Sequence, residues 1–197
     1  MKLWLLRHPK PDVPEGLCYG ASDVPIVASH LESLLTHLPG RLPRDAALYS
    51  SPLSRCRQLA ESLAEHGFGP LQTDDRLREM NFGHWEGRLW KELPRHEIDA
   101  WRADIAGHVP PGGEALSTVA ARGLAFVSEL PLTRPAILVT HSGVMQALLR
   151  TLRGLPLAGA GGHKIDYGQV VVLERERSGE RWEITNEIGA QQQDPSP

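Results

Sequence analysis

Cysteine is scarce in this 197-residue chain: Cys18 and Cys56 are the only two, and their spacing fits neither a disulfide framework nor a zinc knuckle. A reducing compartment is therefore expected, with a cytoplasmic location. No apolar run is long enough to cross a bilayer, and the first β-like run begins at Lys2 with no basic region before it, so neither a membrane span nor a secretory leader is expected. An excess of positive charge is missing too. With 21 Lys and Arg against 24 Asp and Glu the net charge is −3, which argues against a nucleic-acid surface and makes any basic site a local one. No internal repeat is present. What remains, 41% hydrophobic and 23% charged, is an ordinary globular composition with enough length for one sizeable core.

Short β-like runs recur at Lys2 to Arg7, Ala47 to Ser50, Leu71 to Thr73, Ala136 to Thr140, Gln169 to Glu174 and Arg181 to Asn186. Between them, Leu31, Leu34, Leu35 and Leu38 follow helical spacing, and Leu59, Ala60, Leu63 and Ala64 mark a second helix. A longer one runs from Leu116 to Leu130, with Glu114 expected in its first turn and Pro131 and Pro135 closing it. A fourth, through Val144, Ala147, Leu148 and Leu152, starts directly after His141, where free helix amides suit an anion. Arg177-Ser178-Gly179-Glu180 is too short for a helical crossover, so the last two strands should form an antiparallel hairpin. The expected fold is α/β, a three-layer α/β/α sandwich on a mostly parallel, mixed sheet of about six strands with an antiparallel edge. Residues 1–189 read as one domain, and about 76–113, with Trp85, Trp90, Trp101 and Pro110-Pro111-Gly112-Gly113, as an inserted cap. Residues 190–197 lack apolar anchors and are expected to be a disordered tail.

Two histidines, His8 and His141, each follow an apolar run at the place where an open α/β sheet binds ligands. Arg7 beside His8 should keep that imidazole neutral and nucleophilic near pH 7, because a neighbouring positive charge penalises protonation. Arg55, one turn into the helix after Ser50-Ser51-Pro52-Leu53-Ser54, adds a guanidinium fork that matches phosphate oxygens. Glu79 and Glu86 lie in an aromatic setting, and either suits proton exchange with a leaving alkoxide if it faces the crevice.

Together these segments resemble the histidine phosphatase, or phosphoglycerate-mutase-like, superfamily. Arg7-His8-Pro9 is similar to its Arg-His-Gly, and Ser51 to Gln58 to its Ser-Pro-Leu-x-Arg-x-x-Gln. Leu77 to Gly87 is similar to its Leu-x-Glu-x-x-Phe-Gly-x-Trp-Glu-Gly, and His141-Ser142-Gly143-Val144 to its second histidine segment. The resemblance implies two-step phosphoryl transfer without metal or cofactor. His8 attacks phosphorus, Arg7, Arg55 and His141 hold the oxygens, and Glu79 protonates the leaving group and later deprotonates water. A metal site from His8, His141 and Glu79 is an alternative that Arg7 disfavours.

Three positions depart from the pattern. Pro9 replaces glycine and removes a backbone donor, Lys10 stands where many members carry Glu or Gln, and Val27-Ala28-Ser29-His30 replaces Thr-x-x-Gly, with Ser29 as the expected N-cap. The loop from Gly16 to Pro25, with Trp101 and Pro111-Gly112-Gly113-Glu114, is similar to the α-ribazole phosphatase branch. That similarity implies hydrolysis of α-ribazole 5′-phosphate or cobalamin 5′-phosphate. A broad small-molecule phosphatase and a phospho-ligand binding protein without turnover are the alternatives. Substrate-binding candidates are Arg7, Arg55, Ser142, Tyr19, Ser22 and Trp85, with Tyr19, Trp85 and Trp101 forming an apolar wall for the base. The expected partner is a small phosphate monoester, with no nucleic acid and no membrane, and the expected state is a monomer or homodimer. Cys56 is expected to be a buried filler, and His84, His96 and His163 to lie on the surface.

Overall fold

Strands covered on both faces are apolar along nearly their whole length, and the run Ala136–Thr140 fits, with all five residues buried and the one hydroxyl, Thr140 Oγ1, donating to Leu77 O. In the computed structural model, which describes residues 1–131, 133–158, 163–175 and 182–189, this run is β4, near the middle of a six-stranded sheet. The sheet also contains β1 (Lys2–Arg7), β2 (Ala47–Ser50), β3 (Leu71–Thr73), β5 (Val170–Glu174) and β6 (Glu183–Ile188), in the order β3-β2-β4-β1-β5-β6. The pairs β3/β2, β2/β4 and β4/β1 are parallel, whereas β1/β5 and β5/β6 are antiparallel. The expected hairpin strands thus pair as anticipated. Their connecting turn, Arg177 to Glu180, and the tail 190–197 lie outside the described residues.

Alternating side chains divide the core into two layers. Leu3, Leu5 and Leu138 pack with Val119, Phe126, Val144 and Leu148, which belong to α4 (Leu116–Glu129) and α5 (Ser142–Leu152). Leu6, Ile137 and Val139 pack with Leu34, Leu59 and Leu63 of α1 (Ala28–His37) and α2 (Ser54–Glu65). This is the three-layer sandwich expected. Among the described residues no helix is long and apolar enough to cross a membrane.

Two helix starts differ from expectation. The first helix begins at Ala28 with Val27 as N-cap and no side-chain cap, so Ser29 lies inside the helix and does not cap it. Glu114 precedes Ala115, the N-cap of α4, and is not in the first turn. Its carboxylate instead accepts from Asn81 N at 2.9 Å and pairs with Arg122 at 2.9 Å, a tie between α4 and the segment carrying Glu79.

The segment about 76–113 has a small core of its own, in which Cys18, Trp85, Leu93 and Ile98 are buried against Phe82, Trp90 and Trp101. It includes a helix that the sequence pattern did not announce, α3 (Arg95–Ala103), which buries only Ile98. Glu97 in its first turn was the available start signal, but a nine-residue helix whose apolar face rests on Ile98 and Trp101 is too short to repeat its pattern. Backbone bonds sew this segment to the loop from Gly16 to Cys18, from Cys18 N to Arg88 O at 2.8 Å and from Trp90 N to Gly16 O at 2.8 Å.

Candidate active site

Parallel pairing of β1 with β4 sets Arg7 opposite Thr140, so the residues that follow, His8 and His141, emerge side by side. This is where strand order reverses, the usual ligand crevice of such sheets. The His8 amide donates to Thr140 O at 3.0 Å, and the two imidazole centroids stand 5.1 Å apart. His8 is 2% exposed, and its Nδ1 lies 2.6 Å from the Pro9 carbonyl. A carbonyl only accepts, so that bond puts the proton on Nδ1 and leaves Nε2 with a bare lone pair. His141 is fully buried, with Nε2 bonded to Ser51 Oγ at 2.8 Å and 3.4 Å from the thiol of Cys56, which is buried as anticipated.

Both imidazoles have pKa values well below the ordinary histidine range. The expected cause was Arg7. Burial is instead the largest contribution, followed by the positive charge of Arg55, with Arg7 acting more weakly on each.

Arg55 is fully buried, with Nη1 donating to Ser22 O at 2.8 Å and Nη2 to Gly20 O at 2.6 Å. Arg7 donates from Nη1 to Ile165 O at 2.6 Å. The Nε of each is buried with no partner, and among the described residues neither arginine pairs with a carboxylate. Cations withdrawn from water without counter-ions are costly, which makes this cradle a strong site for an anion.

The strap carrying Gly20 and Ser22 is fixed by Glu86. Its Oε1 accepts from Ala21 N and Phe82 N, both at 2.9 Å, and its Oε2 accepts from Ser22 N at 2.7 Å and from the Ser22 hydroxyl. Burial pushes the Glu86 pKa up, but the bonds from Ser22, Phe82 and Ala21 outweigh it and hold the carboxyl below its usual range. Glycine is required at position 20, where a Cβ would stand 1.9 Å from Met80 O. With its oxygens occupied, Glu86 shapes the strap that positions Arg55 and is poorly placed for proton transfer. The Ser22 hydroxyl is likewise directed to Glu86 and not into the cradle.

Glu79 is the carboxylate that faces open space. Its Oε2 accepts from Gly143 N at 3.1 Å, its Oε1 accepts from Met80 N at 3.0 Å, and it lines a pocket of about 540 Å³ beside Ser142 and Gly143. The Gly143 amide expected to be free for an anion is therefore spent on Glu79. A Cβ at Gly143 would stand 2.3 Å from Glu79 Oε1, so a second glycine permits this approach.

A family model described as the histidine phosphatase superfamily (branch 1) matches residues 3–188. The chain belongs to this superfamily. Among its relatives, the adenosylcobalamin/alpha-ribazole phosphatase of Escherichia coli (strain K12) is 31% identical over 178 residues, covering 85% of this chain and 87% of the relative. Two solved structures superpose closely. A mycobacterial glucosyl-3-phosphoglycerate phosphatase has a TM-score of 0.78 at 26% identity, covering 93% of this chain and 96% of its own. A phosphoglycerate mutase from Thermus thermophilus has a TM-score of 0.74 at 34% identity, covering 96% of this chain and 99% of its own. This histidine phosphatase is thus an enzyme of the phosphatase class, and its relatives on the same scaffold carry different substrate names.

In this histidine phosphatase the aromatic wall is not the one expected. Trp85 is 1% exposed and donates its indole N–H to Glu97 at 2.6 Å, so it belongs to the small core with Cys18, Leu93 and Ile98 and offers no face to a substrate. Its burial follows from the loop of Cys18 closing over it. Trp101 and Phe82 do line the pocket beside Glu79, together with Met80, Leu116 and Leu157. Tyr19 lines a separate pocket of about 600 Å³ with Lys10, Trp90 and Tyr167. Tyr167, whose ring lies 5.6 Å from that of His8, was missed because nothing in its local sequence marks it. The Pro9 substitution leaves the carbonyl that sets the His8 tautomer, and Lys10 is exposed, its backbone N–H bonded to His30 Nδ1 at 2.9 Å. Among the described residues no three His, Cys, Asp or Glu side chains are placed to hold a metal ion, so His8, His141 and Glu79 do not make a ligand set.

Proposed function

We propose that this chain hydrolyses a phosphate monoester through a phosphohistidine at His8, and that its substrate is α-ribazole 5′-phosphate or the corresponding cobalamin 5′-phosphate. Residues 1–189 act as one catalytic domain, with about 76–113 as its cap. The observation that carries the chemistry is the bare Nε2 of His8 beside two arginines, Arg55 fully buried and Arg7 partly buried, without carboxylate partners among the described residues. Nε2 forms a bond to phosphorus as the ester oxygen departs, and Arg7, Arg55 and His141 stabilise the oxygens in flight. Glu79 protonates the departing oxygen. It then takes a proton from the water that attacks the phosphohistidine, releasing orthophosphate and restoring the imidazole.

The substrate reading is supported by two features. The wall of Phe82, Trp101, Met80, Leu116 and Leu157 adjoins Glu79, where the leaving group must lie, and suits an aromatic base better than a bare sugar. The relative from Escherichia coli carries that activity in its name. Phosphate release from α-ribazole 5′-phosphate, sugar phosphates and nucleotides, measured in chelator, tests the reading. A strong preference for the ribazole ester is expected. Equal rates across the panel would replace it with a broad phosphatase, and orthophosphate binding without turnover would replace it with a binding protein.

The depressed His8 pKa adds a pH prediction. A group that must be neutral to attack loses activity as pH falls through its pKa, so the acid limb of kcat/KM should lie well below pH 6.5. Arg55→Met removes one of the charges that depress it, and its acid limb should move upward. Comparing the two profiles cancels the substrate's own titration. Superimposable limbs would remove His8 as the titrating nucleophile.

A further inference from the structure

Arg7 and Arg55 need to be held still without being neutralised. A carboxylate beside them would fix them but would compete with the phosphate they are to bind. The structure supplies aromatic faces instead. The guanidinium carbon of Arg7 lies 3.8 Å from the ring centroid of Tyr167, and that of Arg55 lies 5.4 Å from the ring centroid of Tyr19. The two phenols are hydrogen bonded to each other, Oη to Oη, at 3.0 Å. An aromatic face attracts a cation through its quadrupole while adding no net charge. Burial, and after it the bond from Tyr167, pushes the Tyr19 phenol above its usual pKa, so Tyr19 brings no negative charge to the cradle.

We propose that Tyr167 is a positioning residue for phosphate binding: bridged to Tyr19, it presents the aromatic face that keeps Arg7 aimed into the cradle with its charge intact. This rests on reading the cradle as the phosphate site. The Arg7 guanidinium is tied to Ile165 O through Nη1 while its Nε has no partner, so the ring face is its main lateral support. Arg55 depends less on its ring, because Gly20 and Ser22 already hold two of its nitrogens. The effect should therefore be larger at Tyr167 than at Tyr19.

The loop around Tyr167 is placed independently of its phenol. Ile165 O receives Arg7 Nη1, and Gly168 N donates to the carbonyls of Arg7 and His8, each at 3.2 Å. Tyr167 also borders the pocket shared with Lys10 and Trp90, so trimming its ring enlarges an open space and creates no sealed cavity.

The test is calorimetric titration of orthophosphate into the wild type, Tyr167→Leu, Tyr167→Phe and Tyr19→Phe, with KM, kcat and melting temperature for each. Tyr167→Leu should weaken orthophosphate about tenfold and raise KM in parallel, while kcat changes less than about twofold, the pattern of a lost uniform binding interaction. Tyr167→Phe keeps the face and loses only the bridge, so it should recover most of the affinity, and Tyr19→Phe should lose less than Tyr167→Leu. Wild-type affinity in Tyr167→Leu overturns the proposal. So does a Tyr167→Phe variant as weak as Tyr167→Leu, since the hydroxyl and not the face would then be responsible. The titration reads binding without turnover. A chain that binds orthophosphate but hydrolyses no ester therefore overturns the proposed function alone, whereas a wild type that binds no orthophosphate overturns both.

Discussion

His8→Ala is expected to lower kcat on the order of 10⁴- to 10⁶-fold, the scale on which removing a covalent nucleophile operates. Among the described residues no neighbouring group is placed to take over. The Nε2 of His141 is bonded to Ser51 Oγ, and the thiol of Cys56 is pushed by burial far above the range in which a thiolate forms. The variant should still bind orthophosphate, because Arg7 and Arg55 are anchored by Ile165, Gly20 and Ser22 and not by His8. Rapid quenching into alkali, where a phosphohistidine survives, should trap the phosphoenzyme in the wild type and not in the variant. Retention of more than about one part in a hundred of the wild-type rate would place the nucleophile elsewhere, since covalent catalysis leaves far less behind.

How much of this site was legible in the sequence depends on how far apart its interacting parts lie. His8 and His141 were legible because each follows its own strand directly, and a parallel pair of apolar strands puts such residues side by side. The sandwich and its antiparallel edge follow from the same local periodicity. Glu86 and Glu79 were not separable, because what distinguishes them is long-range. Glu86 is consumed by backbone donors at Ala21 and Ser22, more than sixty residues away, whereas Glu79 is held at the pocket by Gly143, at a separation of 64. Trp85 failed as a wall residue for a related reason: a tryptophan in a cap core and one on a pocket wall have the same local sequence, and only the closure of Cys18 over the ring decides. Tyr167 meets Tyr19 across 148 residues, and no spacing rule reaches that far. Ser29 and Glu114 were misplaced by one or two positions, a small error for a helix end but enough to reassign both side chains.

Glu79→Gln should reduce kcat/KM by roughly 10²- to 10⁴-fold for an alkyl phosphate and far less for a nitrophenyl phosphate, because general-acid help matters in proportion to the basicity of the leaving oxygen. The two steps separate the effects. kcat/KM reports the first irreversible step, where the leaving group is protonated, whereas hydrolysis of the phosphohistidine is common to all substrates and needs Glu79 as a base. With nitrophenyl phosphate the variant should therefore release one equivalent of nitrophenolate rapidly and then turn over slowly. The amide also has one acceptor oxygen where the carboxylate has two, so either Gly143 N or Met80 N loses its bond, at a cost of about 1 kcal/mol in stability. A modest fall in melting temperature is expected and does not by itself discriminate between leaving groups. Glu86→Gln is the matched control. It loosens the strap that holds Arg55 and should weaken phosphate binding for every ester alike. Equal losses with alkyl and aryl substrates in Glu79→Gln would remove Glu79 from the acid role, and a leaving-group dependence in Glu86→Gln would transfer that role to Glu86.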